Sequence, residues 1–121
     1  MKQKEVELRR ALRTIRTAID EYKLKVGDNP QFAAVIKKAG AEGYPPDLDT
    51  LVKGTDTGEV KQRKIKFLRR IPVDPITGKA DWLLRSNRQE KESDSWDRLH
   101  VFDIRSSSHG VALDGTKYAD W

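Results

Sequence analysis

The sequence lacks cysteine, and it has no long apolar run. Without cysteine the chain can form neither a disulfide nor a thiolate metal site. Cysteine usage therefore does not indicate whether the protein occupies an oxidising or a reducing compartment. No apolar stretch approaches the roughly 20 residues that span a bilayer, and no signal-peptide core follows Met1. As written, the sequence therefore predicts a soluble chain.

Charges of both signs are abundant. Lys and Arg number 24 against 19 Asp and Glu, which leaves a net charge of +5. So small an excess on a mixed surface favours solubility before it favours a polyanion partner. With 121 residues and 36% hydrophobic content, the chain has the size and composition of a single domain, residues 1–121, with one modest core.

An amphipathic helix is predicted over residues 4–26. Its apolar residues recur at i, i+3, i+4 and i+7 spacing, which places them on one face that suits packing on a sheet. Gly27 and Asp28 end the helix, and Pro30 lies beyond it. The apolar positions are Leu8, Ala11, Leu12, Ile15, Ala18, Ile19, Tyr22 and Val26.

The opposite face of this helix is basic, because Arg9, Arg13 and Arg16 align along it. Oppositely charged pairs at i, i+4 stabilise a helix by only about 0.2–0.5 kcal/mol each. These charges therefore serve mainly to keep this face solvated or to contact a neighbouring molecule. Val6 also lies off the apolar stripe, as an incidental exposed residue or as a contact with something outside this chain. The i, i+4 pairs are Glu5–Arg9 and Arg16–Asp20.

A connecting region occupies residues 29–66. Asn29 and Pro30 open a second helix that ends near Gly40. Residues 47–52 predict a third, short helix closed by Gly54. Residues 53–66 are polar and weakly patterned, so we expect a surface loop there.

The β region covers residues 71–121. Short segments of period two lie around 82–84, 99–104 and 111–113, separated by polar or turn-forming stretches. Separators of this length predict a three-stranded antiparallel meander. With the long helix first and the sheet last, the fold class is α+β.

A proline-rich patch precedes the first predicted strand. Pro72 and Pro75 fix two φ angles, and Thr77-Gly78 permits a turn with positive φ. We therefore expect Pro72, Asp74, Pro75 and Gly78 to form a rigid structural corner. An acidic site formed by Asp74 with Asp81 is disfavoured because no third ligand lies nearby.

The residue pattern does not favour catalysis. The nearest nucleophile candidates are Ser106–Ser108 with His109 and Asp114, but neighbours in one turn rarely place an imidazole on a serine. His100 is expected to be a partly exposed strand residue, since the chain's two histidines cannot build a zinc site together. We predict no catalytic residue and no enzyme activity.

Several segments together match one family pattern. They are Tyr22 near the helix end, Tyr44-Pro45, the leucines 48 and 51, Arg69–Gly78, Trp82, Phe102–Ser106 and Leu113–Trp121. With the long N-terminal helix, they resemble the soluble domain of a type II secretion major pseudopilin, a type IV pilin-like family. The resemblance covers most of the chain and depends on the combination of these motifs.

The resemblance implies a structural role. A hydrophobic helix is expected before this segment, which would anchor the subunit in the bacterial inner membrane with the domain in the periplasm. The expected partners are other pseudopilin subunits, in a homopolymer, and inner-membrane components of the secretion system. Val6, Arg9, Arg13 and Arg16 are the expected filament contacts. A type IV pilus subunit is the nearest alternative.

The resemblance also implies calcium in the C-terminal loop, with Asp103, Asp114 and Asp120 as the candidate ligands. This tail departs from the family pattern, since Lys117 places a cation where oxygen donors are expected. The structural alternative is that Asp114-Gly115 is a turn and Trp121 packs on the sheet. We therefore expect no required cofactor.

A basic nucleic-acid-binding module is the remaining alternative. The arginine row could bind phosphates, together with a second cluster. However, aromatic residues are not interleaved with the basic ones, so we expect no nucleic-acid partner. The second cluster consists of Lys61, Arg63, Lys64, Lys66, Arg69 and Arg70.

Overall fold

The computed structural model describes residues 2–27, 43–54, 66–90, 93 and 95–121. Within these ranges the chain forms a long helix α1 (Lys2–Tyr22), a short helix α2 (Asp49–Lys53), and strands β1 (Leu83–Arg85) and β2 (Asp103–Arg105). A 3-10 turn, Tyr118–Asp120, lies near the end of the chain. The architecture is α+β, as the order of sequence patterns predicts.

Helix α1 has 21 residues, about 32 Å at 1.5 Å per residue, and continues as a π-helical turn over Lys23–Gly27. No helix of the described ranges combines the length and apolar character needed to cross a bilayer. The predicted apolar stripe is confirmed at seven positions, all of them buried: Leu8, Ala11, Leu12, Ile15, Ala18, Ile19 and Tyr22. The side chain of Val26, the eighth predicted position, lies outside the described part of the chain.

Helix α2 lies where the sequence predicts a short helix. The Asp47 carboxylate accepts hydrogen bonds from the N–H and hydroxyl of Thr50, at 2.8 and 2.7 Å, and Gly54 follows the last turn with a φ of 94°. Leu51 is fully buried, and its carbonyl accepts the N–H groups of Phe67 and Leu68. The helix predicted from Asn29 to Gly40, and most of the loop predicted over 53–66, lie outside the described residues.

The sheet contains two short antiparallel strands. Leu83, Leu84 and Arg85 of β1 pair with Arg105, Ile104 and Asp103 of β2. Ile104, the central residue of β2, is buried in the same core as the apolar stripe of α1. The two strands are therefore joined by their backbone hydrogen bonds, and the sheet packs against the long helix.

The prediction of a three-stranded meander is wrong for the described residues, where the sheet has two strands. The third predicted strand instead folds on itself, because Val111 forms an isolated bridge with Lys117 and Ala112 donates to the Thr116 carbonyl at 2.7 Å. Gly115, at a φ of 89°, makes this tight reversal possible. The backbone groups of this segment are used locally, so they do not extend the ladder of β2.

The structural corner forms at the predicted proline patch. The backbone N–H of Asp74 donates to the Lys79 carbonyl at 2.9 Å, and the Gly78 N–H donates back to the Asp74 carbonyl at 2.8 Å. Gly78 has a φ of 75°, which favours glycine. Outside this turn, the Trp82 indole donates to the Pro72 carbonyl at 2.8 Å, which ties the corner to the start of β1.

Asp74 is the anchor of this corner, since it is 0% exposed. One carboxylate oxygen accepts the Ile76 N–H at 2.8 Å, and the other accepts the hydroxyl of Ser106, just after β2. A buried carboxylate is tolerated only when its oxygens are bonded in this way. The side chain thus joins the corner to the far end of the sheet.

We expect Asp74→Ala to lower the free energy of unfolding by about 2–4 kcal/mol, because it leaves a buried hydroxyl and a backbone N–H without their acceptor. Urea unfolding followed by tryptophan fluorescence measures the change. Asp81→Ala is the matched control, since Asp81 is an exposed carboxylate near the same corner, and its effect should be much smaller. Equal losses in the two variants would contradict this role of Asp74.

Candidate functional site

One edge of α1 is covered by the last residues of the chain, and we call this contact the α1–tail edge. It consists of Glu5, Arg9 and Arg16 on the helix and residues 110–121 with the adjoining end of β2. Positions 5, 9 and 16 share one side of a helix, because they are separated by one and then two turns. The long-range hydrogen bonds of Glu5 and Arg16 lie on this edge.

Glu5 receives the tail at the first turns of α1. Its Oε2 atom accepts the backbone N–H of Leu113 at 3.0 Å and the hydroxyl of Tyr118 at 2.7 Å. The bond to Glu5, and then burial, raise the pKa of Tyr118 above its usual value. A negative acceptor makes loss of the phenolic proton costly, so the neutral tyrosine is the form that holds the tail.

Arg9 covers the last aromatic ring of the tail. Its guanidinium carbon lies 3.8 Å from the ring centroid of Trp121. Tyr118 meets the same ring edge-on at 5.2 Å, and the indole N–H donates to Thr116 at 2.8 Å. A cation over an indole contributes about 0.5–1 kcal/mol at exposed sites, so this contact orients Trp121 more than it stabilises the fold.

Arg16 joins α1 to both β2 and the tail. Its Nε donates to Asp103 Oδ1 at 2.8 Å, Nη1 to the main-chain oxygen of Trp121 at 2.8 Å, and Nη2 to the Ile104 carbonyl at 3.0 Å. Asp103 also accepts from Arg85 of β1, at 3.4 Å. The guanidinium group therefore bonds three oxygen atoms at once, as its planar array of donors allows.

The four predicted filament contacts do not share one environment. Val6 is 49% exposed and Arg13 is exposed, whereas Arg9 and Arg16 contact the chain's own tail. Among the described residues, neither i, i+4 pair is an ion pair: Glu5 binds the tail, and Arg16 pairs with Asp103. Sequence reasoning missed Glu5 and Tyr118, for which the Tyr-and-Trp-bearing tail was the available signal.

The three calcium candidates have separate environments. Asp103 lies between two guanidinium groups, and Asp114 accepts the N–H and hydroxyl of Thr116 at 3.0 and 2.6 Å. The Thr116 hydroxyl, followed by its backbone N–H, lowers the pKa of Asp114 below its usual value. Asp120 is exposed, and no set of three or more acidic, histidine or cysteine side chains in the described residues could hold a metal ion. The three carboxylates therefore belong to separate sets of contacts in the described part of the chain.

The catalytic candidates of the serine turn are also separated. Ser106 is buried and donates to Asp74, His109 is exposed, and Asp114 is engaged with Thr116. No described contact joins Ser106–Ser108 to the imidazole of His109.

The expectation that His100 is partly exposed is wrong, since it is 1% exposed. Its ring stacks on Tyr44 at 5.2 Å, and its Nε2 lies 2.9 Å from Asn87 Oδ1. The cause is the neighbouring residue: Val101 donates to the Pro45 carbonyl at 2.8 Å, which brings Tyr44 over the imidazole. Alternation along a strand does not reveal this covering layer.

No protein-family model, curated protein or solved structure matches the chain.

We expect Tyr118→Phe to destabilise the protein at neutral pH and to have less effect in alkali. The pKa of Tyr118 is raised in the folded protein. Its contribution to the free energy of unfolding is therefore complete below the unfolded-state pKa of about 10 and is lost as the pH rises through the folded-state pKa. Urea unfolding of both proteins between neutral pH and strong alkali tests this.

Tyr44→Phe is the matched control, because the described contacts of Tyr44 are made by its ring. The difference in free energy of unfolding between wild type and Tyr44→Phe should not narrow over the same pH range. A constant difference between wild type and Tyr118→Phe would show that the bond to Glu5 does not hold the tail.

Proposed function

We propose that this protein is a structural subunit of a type II secretion pseudopilus, a periplasmic filament that helps to export folded proteins. The observation that carries the proposal is α1, a helix of 21 residues that buries one stripe against the antiparallel strands and turns a charged face outward. That arrangement agrees with the one implied by the sequence resemblance to type IV pilin-like proteins.

The outer face of α1 supports a role in subunit packing. A filament grows through heterologous contacts, in which one surface of a subunit meets a different surface of the next. Val6 and Arg13 are exposed on α1, while the neighbouring edge of the helix is covered by the tail. We assign direct contact with a neighbour to Val6 and Arg13, and an indirect role to Arg9 and Arg16, which hold the tail in place.

The corner and the α1–tail edge support a role for the domain in transmitting force along the filament. Both are built from side chains that join segments far apart in the chain, as Asp74 does with Ser106 and Arg16 with Trp121. A subunit that transmits force must keep its two ends in a constant relation. In the proposed filament the corner faces outward and α1 faces the neighbouring helices.

The proposal also includes the location and partners of the protein. A hydrophobic helix upstream of α1 would anchor each subunit in the bacterial inner membrane, and packing of these helices would build the homopolymer. Inner-membrane components of the secretion system would add subunits at the base. A type IV pilus subunit is the alternative of the same class, and it differs in whether the filament supports export or extends from the cell.

The first test is the full reading frame and its processing in cells. We expect a hydrophobic segment of about 20 residues with a prepilin cleavage site before Lys2, and the processed protein in sheared filaments. A mature protein without such a segment, absent from filaments, would contradict the proposal and favour a soluble binding module.

The second test is photocrosslinking in the assembled filament. A benzoylphenylalanine at position 6 of the full-length protein should give a ladder of subunit multimers on irradiation, because Val6 lies on the proposed contact face. The same probe at Lys79, which is exposed at the corner, is the control and should give few multimers. Equal ladders at both positions, or a ladder only at Lys79, would contradict the assigned face.

A further inference from the structure

The environment of Arg16 resembles a cation-binding site. Its three acceptors are one carboxylate oxygen, from Asp103, and two main-chain oxygens, from Ile104 and Trp121. Carboxylate and carbonyl oxygens are the donors that proteins offer to hard cations such as calcium. Here all three accept hydrogen bonds from a single guanidinium group of the same chain.

We infer that Arg16 is the resident cation of this oxygen cradle, so that docking of the tail onto α1 requires no calcium. The inference concerns how the domain holds its C-terminal segment and goes beyond the proposed filament role. It would stand if that role failed, because the contacts lie within one chain.

The spacing of the oxygens favours a guanidinium group over a metal ion. With nitrogen–oxygen distances of 2.8–3.0 Å, and a carbon–nitrogen bond of about 1.33 Å, the three oxygens lie roughly 3.7 Å from the guanidinium carbon. Calcium binds oxygen at about 2.3–2.6 Å. An ion at the same centre would be about 1 Å too far from each oxygen, so the cradle has the wrong size for calcium.

Charge and access agree with this assignment. Asp103 is the one acidic side chain among the three acceptors, and Arg85 already contacts its other oxygen. A divalent ion would therefore have to compete with two arginines for Asp103 and displace a cation that is tethered to the chain. The Arg16 side chain keeps 35% of its surface exposed, so a small cation from solvent can reach the cradle when Arg16 is shortened.

The experiment uses the 121-residue chain with Arg16→Ala, and Arg13→Ala as the matched control on the exposed face of the same helix. Thermal unfolding and amide hydrogen exchange of residues 110–121 are measured with calcium chloride, with EDTA, and with millimolar methylguanidinium chloride. Methylammonium chloride at the same concentration controls for a cation that lacks the planar array of donors.

For the wild-type chain we expect the same Tm with calcium and with EDTA. Arg16→Ala should lower the Tm by roughly 5–10 °C and speed exchange of the tail on the order of tenfold, whereas Arg13→Ala should change neither. Methylguanidinium should raise the Tm of Arg16→Ala and slow the exchange of its tail in a concentration-dependent way. Neither calcium nor methylammonium should do so.

Three results would overturn the inference: a wild-type Tm that rises with calcium or falls with EDTA, an Arg16→Ala chain that behaves like Arg13→Ala, and rescue by calcium instead of methylguanidinium. If Arg16→Ala does not fold, Arg16→Lys provides the test, since one ammonium group cannot reach three separate oxygens. Its tail should exchange faster than the wild-type tail, and an unchanged tail would reject the inference. Failure of the filament experiments would leave all of these results unaffected.

Discussion

Arg16 connects parts of the chain that are far apart in sequence. Its bonds reach Asp103 and Trp121, which lie 87 and 105 positions away. Closing loops of this length costs conformational entropy, and charge-assisted bonds to a guanidinium are strong enough to help offset that cost. Because α1, β2 and the tail meet at this one side chain, the path of the tail along the helix and the position of the helix on the sheet are set together.

The small size of the sheet explains why such connections are needed. Each strand has three residues, and an isolated two-stranded sheet of this length is at best marginally stable in water. The apolar stripe of α1 supplies the burial that the sheet lacks, with Leu8 and Ile15 fully enclosed. Hydrogen bonds and ion pairs then hold the ends of the sheet. The Asp74 carboxylate accepts the hydroxyl of Ser106, just after β2, and Asp103 of β2 pairs with both Arg16 and Arg85.

Helix α1 therefore has three surfaces, each with different contacts. One stripe is core, one edge is covered by the tail, and the remaining outer face carries Val6 and Arg13. For a proposed filament subunit, that outer face is the part of the helix available to neighbours. The other two surfaces contact the core and the tail of the same chain.

The sequence by itself determined the features whose causes are local. Helical periodicity predicts α1, Asp47 and Gly54 delimit α2, and two prolines with Gly78 predict the corner, because each depends on residues within a few positions. Only the tertiary structure decided that the third predicted strand folds on itself and that His100 is covered by Tyr44. It also decided that Arg9 and Arg16 bind the tail, because a charged side chain chooses among partners that spacing along the chain does not order.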